Sequence, residues 1–245
     1  MRAGEPQIPP ASAGQPVHYL VPAAGTGTRF GGELPKQFRT LAGRPLLAWT
    51  LDRLVRCGAA SVCVAVPEEI LSSPPAWLIV HPEVGLVAGG VTRQASVALA
   101  LAGSPAGDDD LVAVHDGARP ATAPEDLEAV CRAAADRSVD GAVLGRPLAD
   151  TLKRLVDGHV AVTVERTGLF RAETPQVFRR STLARAILAA AESRFVGTDE
   201  ASLVERLPRA RIVAVVASRP NPKVTTPADV ALVEALLSCA LAEDA

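Results

Sequence analysis

Apolar positions along this chain come in short unbroken runs and in stretches spaced three and four apart, and the two patterns take turns. Val17–Pro22 is a continuous apolar run rich in β-branched and aromatic residues, the pattern of a buried strand. Leu47, Leu51, Leu54 and Val55 recur at helical spacing over residues 45–57, and Gly58 closes that helix. Ser61–Val66 reads as a second strand stopped by Pro67, with residues 77–80 and 86–88 as a third and fourth. Gly89 and Gly90 then turn the chain into a helix over residues 93–102. Residues 111–115 form the next strand, 124–136 a helix and 141–145 another strand. Residues 151–156 and 159–165 flank Asp157-Gly158, a strong signal for a two-residue hairpin turn. Two helices at 183–191 and 199–207 precede a last strand at 211–217. Thr226 as N-cap, Pro227 at the first position and Asp229 three residues on open a final helix.

Alternating strands and helices predict an α/β fold: one mostly parallel, twisted, Rossmann-like sheet with helices on both faces. The hairpin strands carry Lys153, Arg154, His159 and Glu165, too polar for a central sheet position. They are expected outside the core, as a projecting arm over residues 148–166. Pro, Ala, Gly and Ser in the first sixteen residues predict a disordered tail, leaving one domain from 17 to 245. Ligands of such sheets sit beyond the carboxyl ends of the strands, where the strand order reverses.

Composition narrows the function. Net charge is −2 and aromatic residues make up 3%, which excludes a basic, aromatic-studded nucleic-acid surface. No apolar run approaches the ~18–20 residues of a membrane span. Cys57, Cys63, Cys131 and Cys239 form no C-x-x-C pair and read as reduced thiols of a cytoplasmic protein. Only Lys36, Lys153 and Lys223 among the 25 basic residues are lysines. Where a chain that otherwise uses Arg keeps Lys, a compact ammonium has a use.

The first strand breaks into Ala23-Ala24-Gly25-Thr26-Gly27-Thr28-Arg29, followed by Leu34-Pro35-Lys36-Gln37. Small side chains there leave successive backbone N–H groups open to an anion, and Arg29 and Lys36 add cations at the mouth. A dinucleotide fingerprint and a Walker A loop both require glycine at position 30, which is Phe30. The remaining pattern resembles the signature of nucleotidyltransferases, which join a nucleoside triphosphate to a phosphate or sugar phosphate and expel pyrophosphate.

Further polar clusters follow at predicted strand ends and helix starts. They are Gly89-Gly90-Val91-Thr92-Arg93 through Ser96, His115-Asp116-Gly117-Ala118-Arg119-Pro120, and Asp150-Thr151-Leu152-Lys153-Arg154. Glu165-Arg166-Thr167-Gly168, Thr174-Pro175-Gln176, Thr198-Asp199-Glu200-Ala201-Ser202 and Asn221-Pro222-Lys223 complete them. In this order they resemble the 2-C-methyl-D-erythritol 4-phosphate cytidylyltransferase family, over about residues 17–237. The ribitol 5-phosphate cytidylyltransferases share much of the pattern. The resemblance implies that Ala23, Ala24, Gly25, Gly27, Arg29 and Lys36 hold the CTP phosphates, and that Gly89, Arg93 and Ser96 read cytosine and ribose. It implies Asp116 as the Mg²⁺ ligand, with Arg29, Lys36 and Lys223 catalytic. Arg119, Thr151, Arg166, Thr174 and Thr198 would surround the sugar-alcohol phosphate. It further implies a homodimer joined through the arm, with Thr151 serving the partner's site.

These residue types suit the chemistry. A phosphate monoester attacking the α-phosphorus is already an anionic nucleophile, so positioning and fixed cations replace a general base. His115, beside Asp116, is expected to pack and orient the loop. Two positions depart from the family: Arg219-Pro220 stands where a second carboxylate is frequent, leaving Asp116 as the expected sole protein ligand. Gly117 stands where alanine is common.

Overall fold

The computed structural model describes residues 15–25 and 36–243. The first fourteen residues of the expected tail (1–16) and residues 26–35 lie outside them. β1 (Val17–Pro22) is an interior strand, fifth of seven, in a sheet of order β11-β7-β10-β6-β1-β4-β5. Its neighbours are β4 (Ser61–Val66) and β6 (Leu111–Val114), both parallel to it, and β5 (Val84–Ala88) continues that side beyond β4. Beyond β6 lie β10 (Phe170–Arg179), β7 (Gly141–Pro147) and β11 (Ile212–Val216). β10 runs antiparallel to both its neighbours, so the sheet is mostly parallel but mixed.

Strand alternation sends β1 into two cores. Val17, Tyr19 and Val21 pack on α1 (Leu46–Arg56) and α4 (Pro124–Ala135) through Leu47, Leu51, Leu54, Leu127 and Val130. Leu20 faces the opposite layer of α3 (Arg93–Gly103), α5 (Arg180–Glu192) and α6 (Glu200–Val204). A third cluster seats α7 (Ala228–Glu243) by Val233 and Leu237 against Leu41, Leu46 and Ala118. Two elements are minor: the pair β2 (Thr40–Leu41) and β3 (Arg44–Pro45), and α2 (Glu68–Ser72).

The arm is present as β8 (Leu152–Val156) paired antiparallel with β9 (His159–Val164), outside the main sheet. Asp157 and Gly158 both take positive φ, +49° and +78°, as the expected two-residue turn requires. Two readings from sequence are corrected. Residues 77–80 are no strand: Pro75 leads into a 3-10 turn over Ala76–Leu78, closed by Leu78 N–H on the Pro75 carbonyl. β10, a central strand, has no counterpart among the predicted elements.

The chain builds β1, β4 and β5 to one side and then places β6 on the other side of β1. The order therefore reverses between β1 and β6, and the loops after these two strands frame one crevice.

Candidate active site

Asp116 stands just past the end of β6, 7% exposed, and three cations converge on it. Lys223 Nζ donates to Oδ2 at 2.7 Å. Arg93 Nε and Nη2 lie 3.4 and 3.3 Å from Oδ1, and Arg119 Nε is 3.6 Å from Oδ2. Burial works against the carboxylate charge, but Lys223, Arg93 and Arg119 outweigh it and hold the group far below the ordinary carboxylate range. Asp116 is thus an ionised, desolvated oxygen donor. One such carboxylate suits Mg²⁺, which takes oxygen ligands and fills its remaining positions with phosphate oxygens and water. The residues present fit that ion, and no cluster of three His, Cys, Asp or Glu occurs among the described residues.

Each cation arrives from a different element. Arg93 opens α3, whose N-cap Thr92 accepts the Ala95 N–H at 3.0 Å. Arg119 lies in the loop after β6 and donates from Nη1 to the Asn221 carbonyl at 2.5 Å. Lys223 sits between β11 and α7, in a stretch tied down by the buried Asn221. Asn221 Nδ2 donates to the Thr174 carbonyl at 3.0 Å, and its Oδ1 accepts from Thr122 at 2.9 Å. Gly117 packs tightly beside them: an added Cβ would come within 2.8 Å of Leu47 Cδ1.

Thr174 joins β10 to this cluster. Its Oγ1 accepts the Asp116 N–H at 3.0 Å and lies 3.2 Å from His115 Nδ1. The Arg119 carbonyl, 3.3 Å from Nε2, can only accept, which assigns the imidazole proton to Nε2 and leaves Nδ1 to accept from the Thr174 hydroxyl. His115 is therefore a loop-orienting residue, as the sequence suggested. Burial pushes it down to about 4, Asp116 opposing only in part. Below pH 6.5 the unfolded chain takes up a proton that folded His115 refuses until about pH 4, so stability falls as pH falls through that window. Thermal melts between pH 7 and 4.5 are expected to show this, with a shallower slope in His115→Gln. An equal slope in both would contradict it.

The nucleotide side adjoins through glycine. A Cβ on Gly89 would lie 2.0 Å from Ala24 Cβ, so the loop after β5 touches the cradle only because that side chain is absent. Ser96 Oγ accepts the Gly90 N–H at 3.0 Å and donates to the Thr92 carbonyl at 3.0 Å, closing the turn into α3. Gln37, buried, donates from Nε2 to the carbonyls of Ala23 and, at 3.0 Å, Gly25. Gln37 thereby ties the 3-10 turn Lys36–Phe38 to the cradle. If the turn holds a nucleoside triphosphate as expected, Gly89→Ala should weaken its binding at least about tenfold by displacing Ala24, a steric cost that calorimetry reads directly. Unaltered affinity would remove that contact from the site.

The structure thus brings together Arg93, Asp116, Arg119, Thr174 and Lys223, with Ala23, Ala24, Gly25, Gly89 and Ser96 alongside. Gly27 and Arg29 lie outside the described residues, as does the Lys36 side chain. Thr151, Arg166 and Thr198 are exposed, and no hydrogen bond joins them to Asp116 among the described residues. Arg166 instead donates to the Ala149 carbonyl at the root of the arm. Asp199, next to Thr198, caps α6, with its Oδ1 accepting the Ser202 N–H at 3.0 Å.

Four buried polar residues carry the site without having been singled out: Gln37, Gln176, Glu200 and Asn221. Gln176 donates to Asp199 Oδ2 at 2.7 Å and accepts the Ala201 N–H at 2.9 Å, fixing the start of α6. Glu200 accepts from Arg93 Nη1 at 2.6 Å. Burial raises the Glu200 carboxyl, and the Arg93 charge counteracts it. Each had a sequence signal, since all four fall inside or beside the polar clusters, but not one that separates a ligand from a strut.

A small-residue turn after β1, an ionised carboxylate after β6 and the cations converging on it fit a nucleotidyltransferase. A family comparison matches residues 17–239 to 2-C-methyl-D-erythritol 4-phosphate cytidylyltransferase. The chain belongs to that family. The enzyme of that name from Xanthomonas campestris pv. campestris (strain 8004) is 45% identical over 224 residues, 89% of this chain and 83% of the relative. That from Chromobacterium violaceum is 42% identical over 222 residues, covering 89% and 96%. Among solved structures, the Francisella tularensis cytidylyltransferase superposes with a TM-score of 0.79 at 27% identity, over 90% of this chain and 99% of that one. The Thermus thermophilus enzyme gives 0.73 at 32% identity, over 89% and 98%.

Proposed function

We propose that this chain transfers CMP from CTP to 2-C-methyl-D-erythritol 4-phosphate, releasing pyrophosphate, in the non-mevalonate route to isoprenoid precursors. The observation that carries the reading is the convergence of Lys223, Arg93 and Arg119 on Asp116 beside the cradle. Such an array holds fixed positive charge where negative charge accumulates around an α-phosphorus. Ala23, Ala24, Gly25, Gly27, Arg29 and Lys36 bind the triphosphate, and Gly89 and Ser96 shape the nucleoside pocket. Asp116 would hold Mg²⁺ together with the phosphates, and the ion would supply charge neutralisation and orientation of the reacting oxygens. Arg119 and Thr174 face the acceptor phosphate, which attacks in line without a general base. His115, neutral and hydrogen-bonded on both nitrogens, orients the loop and moves no proton.

The arm completes the site in a second copy. Leu155, Val156, Val160 and Val162 are 52–63% exposed, although a two-stranded hairpin is marginal on its own. A homodimer that covers them carries Thr151, Arg166 and the exposed end of the arm to the neighbouring acceptor site. Arg166→Ala is then expected to raise the KM for methylerythritol phosphate about tenfold or more while CTP affinity holds. Steady-state kinetics against each substrate check this, and an equal rise in both would contradict it.

A further inference from the structure

Glu200, the first residue of α6, is 1% exposed, yet its one partner among the described residues is the Arg93 guanidinium. Its second oxygen, Oε2, is buried and accepts no hydrogen bond there. A buried carboxylate half unsatisfied weakens a fold and calls for an explanation. The explanation lies in how the three cations around Asp116 are otherwise held. Arg119 keeps the Asn221 carbonyl at 2.5 Å, and Arg93 keeps Glu200 at 2.6 Å. Lys223 Nζ has Asp116 as its one partner among the described residues.

We infer that Glu200 is a positioning residue, anchoring Arg93 so that the guanidinium stays in the site without capturing Asp116. With Glu200 charged, Arg93 spans two carboxylates: a short bond to Glu200 and longer ones, 3.3 and 3.4 Å, to Asp116. That division keeps Arg93 from closing on Asp116 and leaves the carboxylate to an incoming cation. Without the Glu200 charge, Arg93 closes on Asp116 and competes with the cation. Lys223, with no second anchor, is the cation set free when Asp116 turns to the metal. The inference rests on the cytidylyltransferase reading, because it assigns Asp116 to a divalent cation.

The test is Mn²⁺ binding in the presence of CTP, followed by the loss of the free-ion electron paramagnetic resonance signal, with no acceptor present. Glu200→Gln is expected to raise the Mn²⁺ concentration for half-saturation about tenfold. Glu200→Asp, which restores the charge, is expected to recover part of the loss and covers the case in which the Gln variant fails to fold. In an Arg93→Met background the same Gln substitution is expected to have no effect beyond about twofold, because the anchor then has nothing to hold. An unchanged affinity in Glu200→Gln, or a tenfold loss persisting in the Arg93→Met background, overturns the assignment. A third overturning result is a loss that follows the melting temperatures and not the charge. The readout is independent of transfer. Wild-type protein that binds Mn²⁺ with CTP but releases no pyrophosphate contradicts the proposed reaction, while the binding shift still decides the role of Glu200. Wild-type protein that binds neither overturns both.

Discussion

Asp116→Asn is expected to lower kcat for pyrophosphate release by about 10³-fold or more, with the protein still folded at 25 °C. The isosteric amide has no charge, so Lys223, Arg93 and Arg119 lose the anion they share and repel one another at close quarters. The same change removes the one carboxylate suited to Mg²⁺. Removing one partner of a buried ion pair costs about 3–5 kcal/mol, and the variant is therefore expected to melt lower as well. Lys223→Ala separates the two effects. Its side chain is part-exposed and makes one ion pair among the described residues, so stability is expected to change by about 1 kcal/mol while kcat falls about 10²-fold. Single-turnover kinetics and a melting curve on each variant are the measurements. Near-normal kcat in folded Asp116→Asn would remove that carboxylate from the reaction.

If the arm joins two copies as proposed, Leu155→Asp together with Val160→Asp is expected to dissociate that homodimer and reduce turnover about 10²-fold, with CTP binding intact. The two residues face each other across β8 and β9 and are 59% and 63% exposed. Carboxylates there would be desolvated in any interface that covers the arm, and directly opposed like charges weaken the hairpin as well. CTP affinity holds because the cradle, Gly89 and Asp116 all belong to the globular body. Acceptor binding is expected to fall, since the proposed dimer has the partner's arm deliver Thr151 and Arg166. Sedimentation velocity reads the assembly and calorimetry reads CTP. A monomer with full turnover would contradict the shared site.

Much of this arrangement was legible before the structure. β1, α3 and α4 follow from apolar periodicity, and the arm from Asp157-Gly158 with polar residues on both flanks. Asp116 and Lys223 were singled out through the family resemblance, and the structure brings them into one ion pair at 2.7 Å. β10 was not: Arg171, Glu173 and the Thr174-Pro175 step interrupt its apolar run and read as punctuation. Those residues are nonetheless accommodated, Glu173 by Arg171 at 2.9 Å and Thr174 by Asp116 and His115. Glu200 and Asn221 were hidden for another reason. Glu200 lies 107 residues from Arg93 and Asn221 lies 99 from Thr122, so only the fold reveals what each one holds. Trp77 misled by the reverse route, an apolar run whose backbone is set by the prolines ahead of it.

Pyrophosphate release from CTP and Mg²⁺ tests the proposed reaction most directly, with 2-C-methyl-D-erythritol 4-phosphate and ribitol 5-phosphate supplied side by side. Release with methylerythritol phosphate, at least about 10²-fold faster than with ribitol phosphate, is the expected result. Release with ribitol phosphate alone would keep the cation cluster in its role and contradict the acceptor. Release with neither, from folded protein that binds CTP, would contradict transfer itself.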